Sequence, residues 1–132
     1  MKKVLVVDDD PGVRAYLKAV LNNSGFEASE ASNGLDAIQI QKEMLCDLII
    51  ADIFMPAADG LSTIQNFRKL YPDLKMIAMS GGGVFGTKDY LGYALLFGAD
   101  VALEKPICRE TLMDTVDNLM SSNCRLLQGC YF

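Results

Sequence analysis

The chain has 132 residues, with 17 Asp and Glu against 12 Lys and Arg and no histidine. That length fits one compact domain, and 51% hydrophobic residues are enough to bury a core. A formal net charge of -5 argues against the dense cationic surface that nucleic acid or acidic lipid would need. The lack of histidine excludes Ser-His-Asp and Cys-His catalysis and His-ligated zinc. A metal would be held by carboxylates and carbonyls, which suits magnesium, manganese or calcium.

The first residues, Met1-Lys2-Lys3-Val4-Leu5-Val6-Val7, begin like a signal peptide, but the apolar run stops at Asp8-Asp9-Asp10. That is too short for an export signal and carries no cleavage site. It reads as a buried strand of a cytoplasmic protein, and no stretch reaches the ~18 apolar residues of a membrane helix. Further strand-length apolar runs lie at Leu48–Ala51, Leu74–Met79 and Val101–Leu103, with a weaker one at Phe26–Glu30. Runs so short and so apolar suit strands buried on both faces.

Helical periods fill the gaps. Asp10 caps the first helix with Pro11 in its first turn; Val13, Leu17, Val20 and Leu21 share a stripe, and Gly25 ends it. Asn33-Gly34 opens the second, with Ala37, Ile40 and Met44 inward. Leu61, Ile64, Phe67 and Tyr71 mark a third, stopped by Pro72. Thr87 caps a fourth that runs to Gly98, and a fifth spans Cys108 to about Ser121 with Leu112, Val116 and Leu119 inward. Cys46 and Cys108 read as small core residues, whereas Cys124 and Cys130 could pair only in an oxidising compartment. Five strand–helix units in strict alternation predict an α/β fold. Its form is a flavodoxin-like, doubly wound, five-stranded parallel sheet of order 2-1-3-4-5 with five helices. The domain is read as residues 1–121, and 122–132 as a tail or an extension of the last helix.

In such a sheet, ligands bind beyond the carboxyl ends of the strands, at the switch point between strands 1 and 3. Asp8-Asp9 and Asp52 sit at those two ends. Three carboxylates in one crevice repel one another unless a cation joins them. Ser80 after strand 4 and Lys105 after strand 5 fall at the same end. Each has an ordinary reading alone: a strand-end acid, a turn former, a surface lysine. Together, a hard-metal site, a carboxylate nucleophile, a hydroxyl and an ammonium suit an incoming phosphoryl group.

The residues carrying this pattern resemble a response-regulator receiver domain of two-component signalling. They are Val-Leu-Val-Val-Asp-Asp-Asp-Pro at 4–11, Asp-Leu-Ile-Ile-Ala-Asp-Ile-Phe-Met-Pro at 47–56, Asp59-Gly60, Met79-Ser80-Gly81, Gly98-Ala99-Asp100 and Glu104-Lys105-Pro106. The resemblance spans residues 2 to about 121. It implies that Asp52 is the phosphoacceptor, that Asp9 ligates magnesium (or manganese) directly, that Asp8 acts through a coordinated water, and that the Phe54 carbonyl completes the protein ligands. It implies Ser80 as the switch hydroxyl, Lys105 as partner of Asp52 or the phosphoryl oxygens, and a cis Lys105–Pro106 bond. The donor is then a histidine kinase or histidine phosphotransfer protein, and the output a changed surface read by a downstream protein. The expected chemistry is self-catalysed phosphotransfer and autodephosphorylation, not turnover. The alternatives are a phosphorylation-independent interaction module, the receiver fragment of a longer regulator, or an enzyme on a similar sheet. For a phosphohydrolase, Asp52-Ile53-Phe54 lacks the second acid of Asp-x-Asp.

Four features stand out against the family pattern. Ala102 occupies the usual aromatic switch position, so an aromatic flip cannot report movement of Ser80. Phe54 is bulky and apolar, and is expected to limit water and slow dephosphorylation. The loop 81–86 holds four glycines, which reads as an adaptable lid or as a lengthened turn. The fourth helix is apolar nearly all round, as a helix meeting a partner or a second copy would be, which allows a phosphorylation-dependent homodimer.

Overall fold

A computed structural model describes residues 2–53, 60–80 and 94–120. The elements are β1 (Lys3–Val7), α1 (Pro11–Asn23), β2 (Glu27–Ala31), α2 (Gly34–Met44), β3 (Leu48–Asp52), α3 (Gly60–Leu70) and β4 (Lys75–Ser80). Helical residues 94–97, here α4, then precede β5 (Val101–Glu104) and α5 (Arg109–Met120). The sheet order is β2-β1-β3-β4-β5 and every neighbouring pair is parallel. This is the flavodoxin-like order that the alternation of elements predicts.

Strand alternation divides the core in two. Leu5, Val7, Ile49, Ala51, Met76 and Ala78 face α2 and α3 and meet Ala37, Ile64 and Phe67. Val4, Val6, Leu48, Ile50, Ile77 and Met79 face α1 and α5 and meet Leu17, Leu21, Leu112 and Val116. Both faces of β1, β3 and β4 are therefore covered, which explains why those strands read as unbroken apolar runs. β2 is polar, half-buried and at the sheet edge, so its signal was weaker and its start falls one residue later than the apolar run suggests.

Caps fix the helix entries. Asp10 accepts the Gly12 N–H at 2.8 Å ahead of α1, and Asn33 accepts the Asp36 N–H at 2.9 Å ahead of α2. At Gly34 a Cβ would collide with the Thr63 hydroxyl of α3, so glycine lets the two helices approach. The inward face of α2 differs from expectation: Ile40 and Met44 are only partly buried, while Gln41 is 2% exposed. Its carboxamide takes the Cys46 N–H at 3.0 Å and donates to the Cys46 carbonyl at 3.1 Å, which satisfies a buried turn that periodicity cannot reveal.

At the amino ends of β4 and β5, Arg68 of α3 acts as a clamp. Its guanidinium donates to the carbonyls of Gly98 (3.0 and 2.7 Å), Pro72 (2.7 Å) and Leu74 (2.9 Å), and to Asp100 Oδ2 (3.0 Å). Asp100 Oδ2 also takes the Met76 N–H at 2.8 Å. Gly98 has φ +128°, and a Cβ there would press on Arg68 at 3.0 Å, so only glycine suits the turn.

One sequence expectation fails outright. Cys108 is exposed, not core. It stands just before α5, where the first helical turn faces solvent, and its Sγ lies 3.1 Å from Thr111 Oγ1. That hydrogen bond lowers the thiol pKa. Cys46 is buried as expected, and burial pushes its thiol up to about 11. The cis Lys105–Pro106 peptide is present. The apolar outer surface expected of the fourth helix is seen at its described end, where Leu96 is 79% exposed beside Leu95 and Phe97. Phe54, the glycine loop 81–86, most of that helix and the tail with Cys124 and Cys130 lie outside the described residues. Among the described residues no helix is long and apolar enough to cross a membrane.

Candidate functional site

Four parallel strands deliver the predicted residues to one end of the sheet. Asp8 and Asp9 follow β1, Asp52 closes β3, Ser80 closes β4, and Lys105 follows β5. Asp8, Asp52 and Ser80 are buried, whereas Asp9 is exposed. The backbone sets this end: the Asp8 N–H bonds the Ala31 carbonyl at 3.1 Å, and the Lys105 N–H bonds the Ser80 carbonyl at 2.7 Å. The structure thus brings all five predicted side chains to the carboxyl ends of the strands. Phe54, whose carbonyl was expected to complete the metal ligands, lies outside the described residues.

One carboxylate oxygen each from Asp8, Asp9 and Asp52 lies within 4.8 Å of the other two. Lys105 Nζ reaches Asp8 Oδ2 at 2.6 Å and Asp52 Oδ2 at 3.1 Å. Burial alone would lower the lysine pKa; the bond to Asp8 and the charges of Asp52 and Asp8 outweigh it and raise the pKa above its ordinary value. The ammonium is therefore charged at neutral pH and offsets one of three clustered negative charges. The remainder fits a hard divalent cation: the donors are all oxygen, and two of the three acids are buried, where uncompensated charge is costly.

Sequence reasoning missed Arg14. Its Nη1 donates to the Asp8 carbonyl at 2.7 Å, and its Nε to Glu30 Oε1 at 2.8 Å. Lys18 Nζ holds the other Glu30 oxygen at 2.8 Å, and the two cations together lower the Glu30 pKa, Lys18 contributing most. An Arg–Glu pair sixteen residues apart has no local signature; the packing of α1 against β2 brings the two together. A cavity of about 320 Å³ opens beside this group, lined by Arg14, Glu30, Ser32, Asp36 and Ile40 among others. It flanks the acid cluster and does not contain it.

Residues 4–117 match the sequence profile of the response regulator receiver domain. The chain is 39% identical over 119 residues to the chemotaxis protein CheY of Thermotoga maritima, covering 89% of this chain and 97% of that protein. It is 31% identical over 120 residues to the autoinducer 1 sensor kinase/phosphatase LuxN of Vibrio harveyi, covering 91% of this chain but 14% of that protein. A receiver domain structure from Clostridium thermocellum superposes with a TM-score of 0.85 at 27% identity, covering 96% of this chain and 99% of that one. The sheet order, the acids on β1 and β3 and the lysine after β5 thus coincide with a match over most of the sequence: the chain belongs to the response regulator receiver family and is a phosphoacceptor switch of two-component signalling.

Proposed function

We propose that Asp52 is the phosphoacceptor of this chain, with Asp8, Asp9 and Asp52 holding magnesium (or manganese) and with Ser80 and Lys105 completing the site. One observation carries this reading: three carboxylates and a lysine ammonium, drawn from three strand ends, meet at the β1–β3 switch point. A bound divalent cation supplies electrostatic stabilisation of the charge on the transferring oxygens. The protein does the rest. An Asp52 oxygen attacks phosphorus, the bond to the donor histidine nitrogen breaks, and an acyl phosphate remains. Lys105 stays charged and exchanges part of its contact with Asp52 for phosphoryl oxygens. The buried Ser80 hydroxyl moves toward the new dianion, biasing β4, α4 and β5 toward a second arrangement. Hydrolysis in the same site resets the switch, slowed by Phe54.

The donor histidine lies outside these 132 residues, on a histidine kinase or histidine phosphotransfer protein. The output is a binding surface for a downstream protein or a second copy, with no contact to nucleic acid or membrane. The working unit is residues 1–121, in the cytoplasm. The test is incubation with magnesium and acetyl phosphate followed by intact mass measurement. One phosphoryl adduct, lost in Asp52→Asn and on chelation of magnesium, is the expected result. An unmodified mass at every magnesium and donor concentration would leave a phosphorylation-independent interaction module as the better reading.

A further inference from the structure

Asp8 is held at every polar point. Its N–H bonds Ala31, its Oδ1 takes the Asp10 N–H at 2.9 Å, its Oδ2 takes Lys105, and its carbonyl takes Arg14. That carbonyl belongs to the peptide joining Asp8 to Asp9. The orientation of this peptide plane decides where the Asp9 side chain leaves the backbone. Asp9 itself is exposed, so its aim depends on the backbone beneath it. The Arg14 side chain is only 16% exposed and is fixed in turn by Glu30, which Lys18 also grips.

We propose that Arg14, braced by Glu30 and Lys18, is a positioning residue for the divalent cation: it fixes the Asp8–Asp9 peptide so that the two carboxylates are presented in binding geometry. The inference rests on the metal-site reading above. The planar guanidinium suits the task because its fork spans a carbonyl on β1's extension and a carboxylate on β2 at once. Groups that orient metal ligands without touching the metal commonly set affinity.

Geometry and field predict opposite signs, which makes the idea testable. Arg14 is a cation near an acid cluster, so field alone predicts that its removal tightens magnesium binding. Positioning predicts that removal weakens it. The experiment is calorimetric titration of magnesium chloride into the unmodified chain, Arg14→Gln and Glu30→Gln, well below each melting temperature. The expected result is a Kd raised about tenfold in Arg14→Gln and a smaller rise in Glu30→Gln. Unchanged or tighter binding in Arg14→Gln overturns the proposal while leaving the metal site intact. If Arg14→Gln does not fold, Arg14→Lys decides: it keeps the charge but loses the planar fork, so a raised Kd supports positioning and an unchanged Kd overturns it. Failure of the unmodified chain to bind magnesium overturns the metal-site reading, and the positioning role falls with it.

Discussion

The two ends of the sheet treat charge in opposite ways. At the amino ends of β4 and β5, Arg68 places every guanidinium N–H on an acceptor, and Asp100 answers both Arg68 and the Met76 N–H. At the carboxyl ends, three carboxylates lie within 4.8 Å of one another, with Lys105 paired to two of them among the described residues. The first end matches donor to acceptor, as a structural junction must. Among the described residues the second gathers more acids than cations in a partly buried place, which is how a site that binds a cation would be built. Stability and function are thus separated along the strand direction.

The largest effect should come from breaking the matched end. Arg68→Ala strands three carbonyls and a carboxylate and is expected to cost about 3 kcal/mol in urea unfolding. The same variant should leave the magnesium Kd within about twofold, because the two ends do not share partners. Lys105→Met should cost about 2 kcal/mol at neutral pH, since two buried acids lose their cation. The raised lysine pKa means this contribution is complete below its ordinary value of 10.5 and is lost as pH rises past the folded value. The stability gap between the unmodified chain and Lys105→Met should therefore close in strongly alkaline buffer. Gly98→Ala, forcing a Cβ against Arg68 at positive φ, should cost about 1 kcal/mol. Smallest is Glu30: its lowered pKa places its ion-pair stabilisation above its ordinary 4.5, to be lost as pH falls through the folded value. Solvent screening holds that loss to a few tenths of a kcal/mol, so Glu30→Gln should unfold in urea almost like the unmodified chain.

Much of the fold was legible because local pattern and burial coincide. Val4–Val7 and Leu48–Ala51 are buried on both faces, and an acid that ends such a run stands out. Once the strand order was clear, Asp8, Asp9, Asp52, Ser80 and Lys105 fell together. What stayed hidden depends on contacts between distant segments. Arg14 meets Glu30 through the packing of α1 on β2, Arg68 meets Gly98 across thirty residues, and Gly34 matters only because Thr63 lies against it. Cys108 was misread because being apolar and near a helix start does not decide which way the first turn faces.

The surplus-charge account is tested most directly by unfolding the unmodified chain and Asp9→Asn in urea, each with and without magnesium. Asp9 is exposed and one of the three clustered acids. Without metal, Asp9→Asn should be the more stable by about 0.5 to 1 kcal/mol, because one like charge is gone. With magnesium at about a hundred times its Kd, the unmodified chain should gain about 2.7 kcal/mol and become the more stable of the two. A variant less stable in both conditions, or an unmodified chain that magnesium does not stabilise, would contradict the account.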